Sequence, residues 1–144
     1  MSKIIKIKYH NPDLIHIEKI EKGDWIDLRA AENVHIVSGQ VGMISLGVSM
    51  KLPEGYEAHV VPRSSTFKTW GILQTNSFGV IDNSYSGTND IWRFPFYATK
   101  DAEIHVNDRI CQFRIVEKQP ELSFEQCETL DDTDRGGFGS TGTK

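Results

Sequence analysis

Apolar and polar residues alternate in several short stretches of the chain, which is the pattern of half-buried β-strands. The clearest stretch covers residues 44–52, where an apolar residue occupies every second position. Shorter patterns of the same kind predict strands near residues 5–9, 25–29, 34–37, 56–62, 104–106 and 109–116. Many short strands separated by turn residues predict an all-β fold, a distorted jelly roll or β-barrel.

Three local features modify this pattern. One short helix is predicted within residues 63–69, with Ser64 or Ser65 as its N-cap. Residues 76 and 77 are polar and lie between two apolar runs, which predicts the tip of a β-hairpin. Pro95 lies in an aromatic-rich stretch, and a proline there predicts an edge strand or a bulge.

Composition excludes several classes of protein. The chain of 144 residues carries 16 Lys and Arg against 20 Asp and Glu, a net charge of −4, which argues against a general nucleic-acid binder. Its two cysteines, Cys111 and Cys127, form neither a disulfide framework nor a zinc site. No apolar stretch is long enough to span a membrane, and no signal peptide is recognised at the N-terminus. We therefore expect a cytoplasmic protein without a membrane or nucleic-acid partner.

The strongest candidate for chemistry is Asp82, which follows the β-branched pair Val80 and Ile81. Turn-forming residues come directly after it, so its carboxylate is predicted to lie at the end of a strand. Such a mount is rigid and open to a small molecule. Taken alone, this position also fits an ordinary turn-forming aspartate.

Three other polar positions have both a structural and a functional interpretation. Arg63, Ser64 and Ser65 place a guanidinium and two hydroxyls at a predicted helix start, which suits a phosphate but also an ordinary helix cap. Gln112 lies inside an apolar strand, where it faces either an edge or a polar pocket. Asp27 fits hydrogen bonding in a turn network as well as any function.

The end of the chain has an unusual composition. Residues 134–144 contain four glycines, one arginine, one phenylalanine and three hydroxyl residues, so they cannot build a core. Such a tail is normally disordered. Glycine-rich backbone also wraps closely around a phosphate, Arg135 can pair with it, and Phe138 can cover an aromatic base. We predict one β domain at residues 1–130 and an arm at 131–144 that orders on ligand binding.

Five stretches together resemble the trimeric dUTP diphosphatase (dUTPase) family, and the resemblance covers almost the whole chain. Each stretch is a modest signal, but five in the family's order form a strong one. The sequence is most similar to the dUTPases of Gram-positive bacteria and their phages. The five stretches are residues 25–31, 62–65, 79–87, 109–113 and the glycine-rich arm up to Gly142.

This resemblance implies a jelly-roll homotrimer with active sites shared between chains, and Mg²⁺-dependent hydrolysis of dUTP to dUMP and diphosphate. It implies that Asp82 is the general base and that the Tyr85 ring excludes a 2′-hydroxyl. It further implies that Asp27 contacts the metal only through water. The remaining implied contacts are Asn76, Gly79, Val80 and Ile81 with uracil, Arg63, Ser64, Ser65 and Gln112 with phosphates, and Arg135, Phe138, Ser140 and Thr141 closing over the substrate.

Two positions depart from the family pattern. Ser86 stands where many members have arginine, and the arm has two residues fewer between Arg135 and the Gly-Phe-Gly sequence. The shorter arm leaves open whether Phe138 covers the uracil or the sugar.

Two other functions compete with dUTP hydrolysis. A dCTP deaminase shares this fold, but the sequence shows no acid placed for deamination. A phage-type protein that uses the fold to bind a regulatory protein also fits, and the sequence shows no unusual insertion that would favour it.

Overall fold

A computed structural model of the protein describes residues 2–19, 21–131, 133–137, 139 and 142. Within this part of the chain, eleven β-strands and one short helix form. The helix, α1, covers Thr66–Trp70 between the sixth and seventh strands. The prediction of an all-β fold with one short helix is confirmed. The strands are β1 (Lys6–Tyr9), β2 (Ile26–Arg29), β3 (Val34–Ile36), β4 (Val41–Ser45), β5 (Val48–Lys51), β6 (Tyr56–Pro62), β7 (Ile72–Gln74), β8 (Gly79–Ile81), β9 (Arg93–Ala98), β10 (Ala102–Ile104) and β11 (Arg109–Glu117).

The strands pair into four antiparallel sheets of jelly-roll type. The two larger sheets have the orders β2-β11-β6-β8 and β4-β9-β7, and the two smaller ones are β1-β5 and β10-β3. None of these sheets closes into a barrel within the described residues. Large aromatic side chains fill the core, and the rings of Trp92 and Phe113 meet edge to face at 5.4 Å. Aromatic pairs favour this geometry because a ring edge is positive and a ring face negative.

The stretch at residues 44–52 does not form the single strand predicted from its alternation. It divides into β4 and β5, which belong to different sheets. The backbone of Trp92 accepts a hydrogen bond from Leu46 and donates one to Val48, which leaves Gly47 between them as a bulge. The apolar side chains of this stretch are all buried, as the periodicity predicted, but so is Ser49, which the alternation assigned to the exposed face.

The predicted hairpin at residues 76–77 is a corner between two sheets. Strand β7 pairs with β9 and strand β8 pairs with β6, so the two strands on either side of the turn do not pair with each other. Ser77 adopts a positive φ of 56°, which lets the chain reverse within four residues. The prediction of a polar tip is correct, and the prediction of paired strands is wrong.

Pro95 lies in the central strand of its sheet, not at an edge or a bulge as predicted. The carbonyl of Pro95 accepts a hydrogen bond from the amide of Thr75, so its backbone faces β7. Strand β7 has already ended at Gln74, one residue before Thr75. Proline lacks a backbone N–H, and at position 95 this group would face the point where β7 has ended. The missing donor therefore removes no hydrogen bond between the two strands, and the central position is tolerated.

Helix α1 begins after Ser65, whose side chain makes no capping hydrogen bond. The hydroxyl of Thr66 instead accepts from the amide of Arg63 at 2.8 Å and donates to the carbonyl of Ile110 at 2.9 Å. The predicted cap residue is thus in place without its predicted hydrogen bond. Thr66 fixes the backbone that carries Arg63 against strand β11.

Both cysteines are unpaired, in agreement with the sequence. Cys111 is buried in the core, and burial raises the pKa of its thiol, so this side chain packs as a small neutral group. None of the helices in the described part of the chain has the length and apolar character needed to cross a membrane.

We predict that Gly47→Ala destabilises the protein more than Gly55→Ala. Both glycines have positive φ, but a Cβ at position 47 would lie 2.4 Å from the Cβ of Ala31, whereas a Cβ at position 55 meets no atom within 4 Å. Strain and overpacking together should lower the free energy of unfolding by roughly 2–4 kcal/mol at position 47, against about 1–2 kcal/mol from strain alone at position 55. Urea unfolding of both variants measures the difference, and equal losses would contradict the packing argument.

Candidate active site

An open pocket of about 450 Å³ surrounds Asp82, and we call it the Asp82 pocket. It lies beside the corner at residues 76–77 and the outer side of strands β4 and β9. Most of the residues that the sequence assigns to the base, the sugar and the chemistry meet here. Its lining residues are Met43, Asn76, Val80, Ile81, Asp82, Ser84, Tyr85, Ile91, Trp92, Arg93 and Pro95.

Asp82 follows the last residue of β8 and is exposed to solvent. Its Oδ1 accepts a hydrogen bond from the backbone amide of Ser84 at 2.7 Å. Hydrogen bonds from the Ser84 hydroxyl and then the Ser84 amide hold the pKa of Asp82 below its ordinary value. The carboxylate is therefore ionised at neutral pH and able to accept a proton.

Asn83 anchors the loop that follows Asp82, and sequence reasoning did not identify this role. Its side-chain amide donates to the carbonyls of Pro53 at 2.8 Å and Tyr56 at 3.1 Å. The hydroxyl of Tyr85 donates to the carbonyl of Ile91 at 2.9 Å, which fixes the ring at the pocket wall. An amide side chain next to a strand end was the only signal in the sequence, and turn formers share it.

Gln74 packs in the interior next to the corner at residues 76–77. It is buried, and its Nε2 donates to the carbonyl of Val60 at 3.0 Å. A Cβ on Gly79 would lie only 3.1 Å from that Nε2 and 3.3 Å from Val60. Gly79 thus allows close packing beneath the pocket, while Asn76 forms part of the wall. A contact between Gly79 and a substrate stays a prediction.

A second pocket of about 360 Å³ contains the residues assigned to phosphate, and we call it the Arg63 pocket. Ser65 is half-buried at the helix start and does not line this pocket. The Arg63 pocket shares no lining residue with the Asp82 pocket. Its lining residues are Lys22, Gly23, Asp24, Trp25, Asp27, Arg63, Ser64 and Gln112.

Asp27 contacts two arginines, Arg63 in the Arg63 pocket and Arg109 beside it. Its Oδ1 lies 3.1 Å from Nε of Arg63, and its Oδ2 lies 3.7 Å from an Nη of Arg109. Gln112 lies opposite Asp27 in the β11–β2 register and donates to the carbonyl of Pro62 at 3.2 Å. These contacts leave most donors of the two guanidinium groups available to an anion.

The Arg63 pocket has few ligands for a metal. No group of three or more metal-binding side chains occurs among the described residues. The two carboxylates of the pocket are paired with arginines, Asp27 with Arg63 and Asp24 with Arg114. Such an arrangement fits a Mg²⁺ ion that keeps its waters and is held mainly by phosphates.

The two pockets lie at opposite ends of strand β6. Ile81 pairs with Ala58, so Asp82 comes beside residue 57, whereas Arg63 directly follows the last residue of β6. Six residues of extended chain separate these positions, which gives roughly 20 Å. One chain therefore does not bring Asp82 and Arg63 to the same reacting group.

The arm is described only in part. Arg135 is exposed and lies in the described residues. The predicted positions Phe138, Ser140 and Thr141 lie outside the described residues. Their assignment to the substrate stays a prediction.

The fold and its paired pockets place the chain in the dUTPase-like class of jelly-roll structures. The Staphylococcus bacteriophage 80alpha dUTPase solved with dUpNHpp superposes with a TM-score of 0.78 at 21% identity, covering 99% of this chain and 100% of that one. The dUTPase from Streptococcus mutans has a TM-score of 0.70 at 19% identity, covering 81% and 98%. At such identities the likeness concerns the fold alone.

The chain belongs to the dUTPase family, whose model matches residues 21–142. It is 59% identical over 140 residues to the SPbeta prophage-derived deoxyuridine 5′-triphosphate nucleotidohydrolase YosS of Bacillus subtilis (strain 168), covering 97% of this chain and 99% of the relative. It is 38% identical over 141 residues to the deoxyuridine 5′-triphosphate nucleotidohydrolase of Helicobacter pylori (strain P12), covering 96% of each. The family membership predicted from the five sequence stretches is confirmed.

We predict that Ser84→Ala raises the pKa of Asp82 toward its ordinary value. The substitution removes the hydroxyl that stabilises the ionised carboxylate and keeps the backbone amide. The ionised form should then be lost at a higher pH as the solution is acidified. An NMR titration of the Asp82 carboxyl carbon measures this shift, with Ser86→Ala as the control. An unchanged titration curve in Ser84→Ala would contradict the assigned cause.

Proposed function

We propose that this protein hydrolyses dUTP to dUMP and diphosphate, with Asp82 as the general base. The observation that carries the proposal is the ionised Asp82 carboxylate, fixed at the end of β8 in an open pocket. The family and relatives named deoxyuridine 5′-triphosphate nucleotidohydrolase support the same reaction. In this proposal Asp82 accepts a proton from water, the water oxygen bonds to the α-phosphorus, and the bond to the bridging oxygen breaks to release diphosphate.

The Asp82 pocket is proposed to select the nucleoside. In this proposal Asn76 and the backbone of Val80 and Ile81 contact uracil, and these contacts would exclude the 5-methyl group of thymine. Cytosine is rejected because its exchanged donors and acceptors would leave buried polar groups unpaired. The Tyr85 ring, held by its hydrogen bond to Ile91, lies against the deoxyribose and excludes a 2′-hydroxyl.

A second copy of the chain is proposed to supply the phosphate-binding residues. Water activated by Asp82 must lie within hydrogen-bond reach of it, so the reacting phosphate does too. The Arg63 pocket of the same chain is roughly 20 Å away along β6, too far for that phosphate. In this proposal Arg63, Ser64, Ser65 and Gln112 come from a neighbour, and the family resemblance supports a homotrimer.

The outer side of sheet β4-β9-β7 supports an assembly of copies. Large apolar side chains are exposed there: Val41 at 69%, Met43 at 65%, Leu73 at 47% and Tyr97 at 42%. Cross-strand pairing joins them, because Val41 and Leu73 both lie opposite Tyr97. Contiguous exposed apolar surface of this kind is typical of contact sites.

Mg²⁺ fits the residues present as an ion carried by the triphosphate. When bound, it would neutralise developing charge on the phosphates. Asp27 would reach it through water, because its carboxylate is already paired with Arg63. In this proposal Arg63 holds the phosphate oxygens and orients the leaving diphosphate.

The arm is proposed to close over the bound nucleotide of a neighbouring copy. Ordering it costs roughly 1–2 kcal/mol per residue, so several charge-assisted hydrogen bonds are needed to hold it. Arg135, Ser140 and Thr141 offer such bonds to phosphate, and Phe138 covers the base or the sugar. Truncation after residue 134 should leave thermal unfolding unchanged and slow dUTP turnover severely, and full turnover would exclude this role.

A cytoplasmic location belongs to the same proposal and fits the two unpaired cysteines.

Asp82→Asn is expected to lower kcat for dUTP by about 10²–10⁴-fold, because the amide keeps the shape and cannot accept the proton. Diphosphate release from dUTP, dCTP, dTTP and UTP measures the activity and its selectivity. Binding of dUpNHpp should persist in the variant, and Asp13→Asn, an exposed change outside both pockets, serves as the control.

Several results would count against this function. Near-normal turnover in Asp82→Asn would remove Asp82 from its role. Preference of the wild-type protein for dCTP would indicate a deaminase relative. Absence of turnover with every nucleotide would favour the alternative of a regulatory protein that only keeps the fold.

A further inference from the structure

Arg93 lines the Asp82 pocket but belongs to none of the five family stretches. The described lining residues of this pocket include one negatively charged residue, Asp82, and one positively charged residue, Arg93. The two opposite charges of the pocket thus lie on different elements, the end of β8 and the start of β9.

The alternation of β9 fixes the direction of Arg93. Its neighbours Trp92 and Phe94 are buried in the core, so the side chain between them points outward. Arg93 lies opposite Ser45 of β4, a small residue that leaves the guanidinium uncovered. The position is therefore built by the core and is not a mobile loop position.

The guanidinium of Arg93 and the Tyr85 hydroxyl share one hydrogen-bond acceptor. One Nη donates to the carbonyl of Ile91 at 3.4 Å, and the Tyr85 hydroxyl donates to that same carbonyl at 2.9 Å. A hydrogen bond of 3.4 Å is weak, and guanidinium carries five N–H donors. Among the described residues Arg93 forms no ion pair. Most of its donors are thus available to a ligand in the pocket.

Resting on the proposed function, we propose that Arg93 is a further substrate-binding residue, which pairs with the phosphate next to the deoxyribose. The Tyr85 ring is the proposed wall of the sugar, so a cation near its hydroxyl lies close to where the 5′-phosphate begins. The Asp82 carboxylate repels that phosphate, and a guanidinium in the same pocket offsets the repulsion. The phosphates beyond it are left to the Arg63 pocket of a neighbouring copy.

An ordinary surface arginine is the competing explanation. An exposed arginine without an ion pair contributes little to folding, so its removal should leave the melting temperature unchanged in either case. The two explanations differ only in ligand binding. Phosphate-bearing and phosphate-free forms of the same nucleoside separate them.

The test is isothermal titration calorimetry of the full-length protein with dUMP and with deoxyuridine. Arg93→Gln should weaken dUMP binding about tenfold, the size expected for an exposed charge-assisted hydrogen bond, and leave deoxyuridine binding within about twofold. Arg93→Lys keeps the charge and should recover part of the dUMP affinity. Lys51→Gln, an equal loss of charge outside the pocket, should change neither value.

Each other outcome has a distinct meaning. Unchanged dUMP binding in Arg93→Gln, or equal losses for dUMP and deoxyuridine, would overturn the phosphate contact while leaving the proposed function intact. A wild-type protein that binds deoxyuridine as tightly as dUMP would also overturn the phosphate contact, whereas one that releases no diphosphate from dUTP would overturn the proposed function itself.

Discussion

Strand β6 sets the distance between the two halves of the candidate site. It is held on both sides, by seven consecutive pairs with β11 and three with β8, so neither end moves independently of the sheet. Asp82 comes beside one end and Arg63 follows the other, roughly 20 Å apart at the rise of an extended strand. The fold therefore separates the proposed base from the proposed phosphate-binding arginine within one chain, and the proposed chemistry requires a second copy.

The two pockets differ in what their carboxylates contact. The Asp82 pocket carries a carboxylate whose ionised form is stabilised by Ser84. In the Arg63 pocket the carboxylate of Asp27 is instead engaged by Arg63 and Arg109 and orients them. Within one chain the separation along β6 keeps Asp82 from pairing with Arg63. The overall negative charge of the chain has little bearing on these local arrangements.

Sequence patterns predicted which apolar residues are buried better than they predicted where the strands end. Alternation at residues 44–52 correctly identified the buried apolar side chains but missed the burial of Ser49, and the break at Gly47 lies at a close approach to Ala31, a contact distant in sequence. The corner at residues 76–77 is a similar case. Strands β7 and β8 pair with other strands and not with each other, and the local sequence pattern does not show these partners. Asp82 was predictable because a strand end is a local feature, whereas Arg93 became visible only when β9 was placed beside β8.

Activity of mixed assemblies tests the division of the site most directly. Asp82→Asn and Arg63→Gln chains should each be nearly inactive alone, since every site then lacks one essential group. After unfolding and refolding together in equal amounts, about a quarter of the sites should combine Asp82 from one copy with Arg63 from another, and dUTP turnover should rise to about that fraction of the wild-type rate. A mixture no more active than its two separate components would contradict the account.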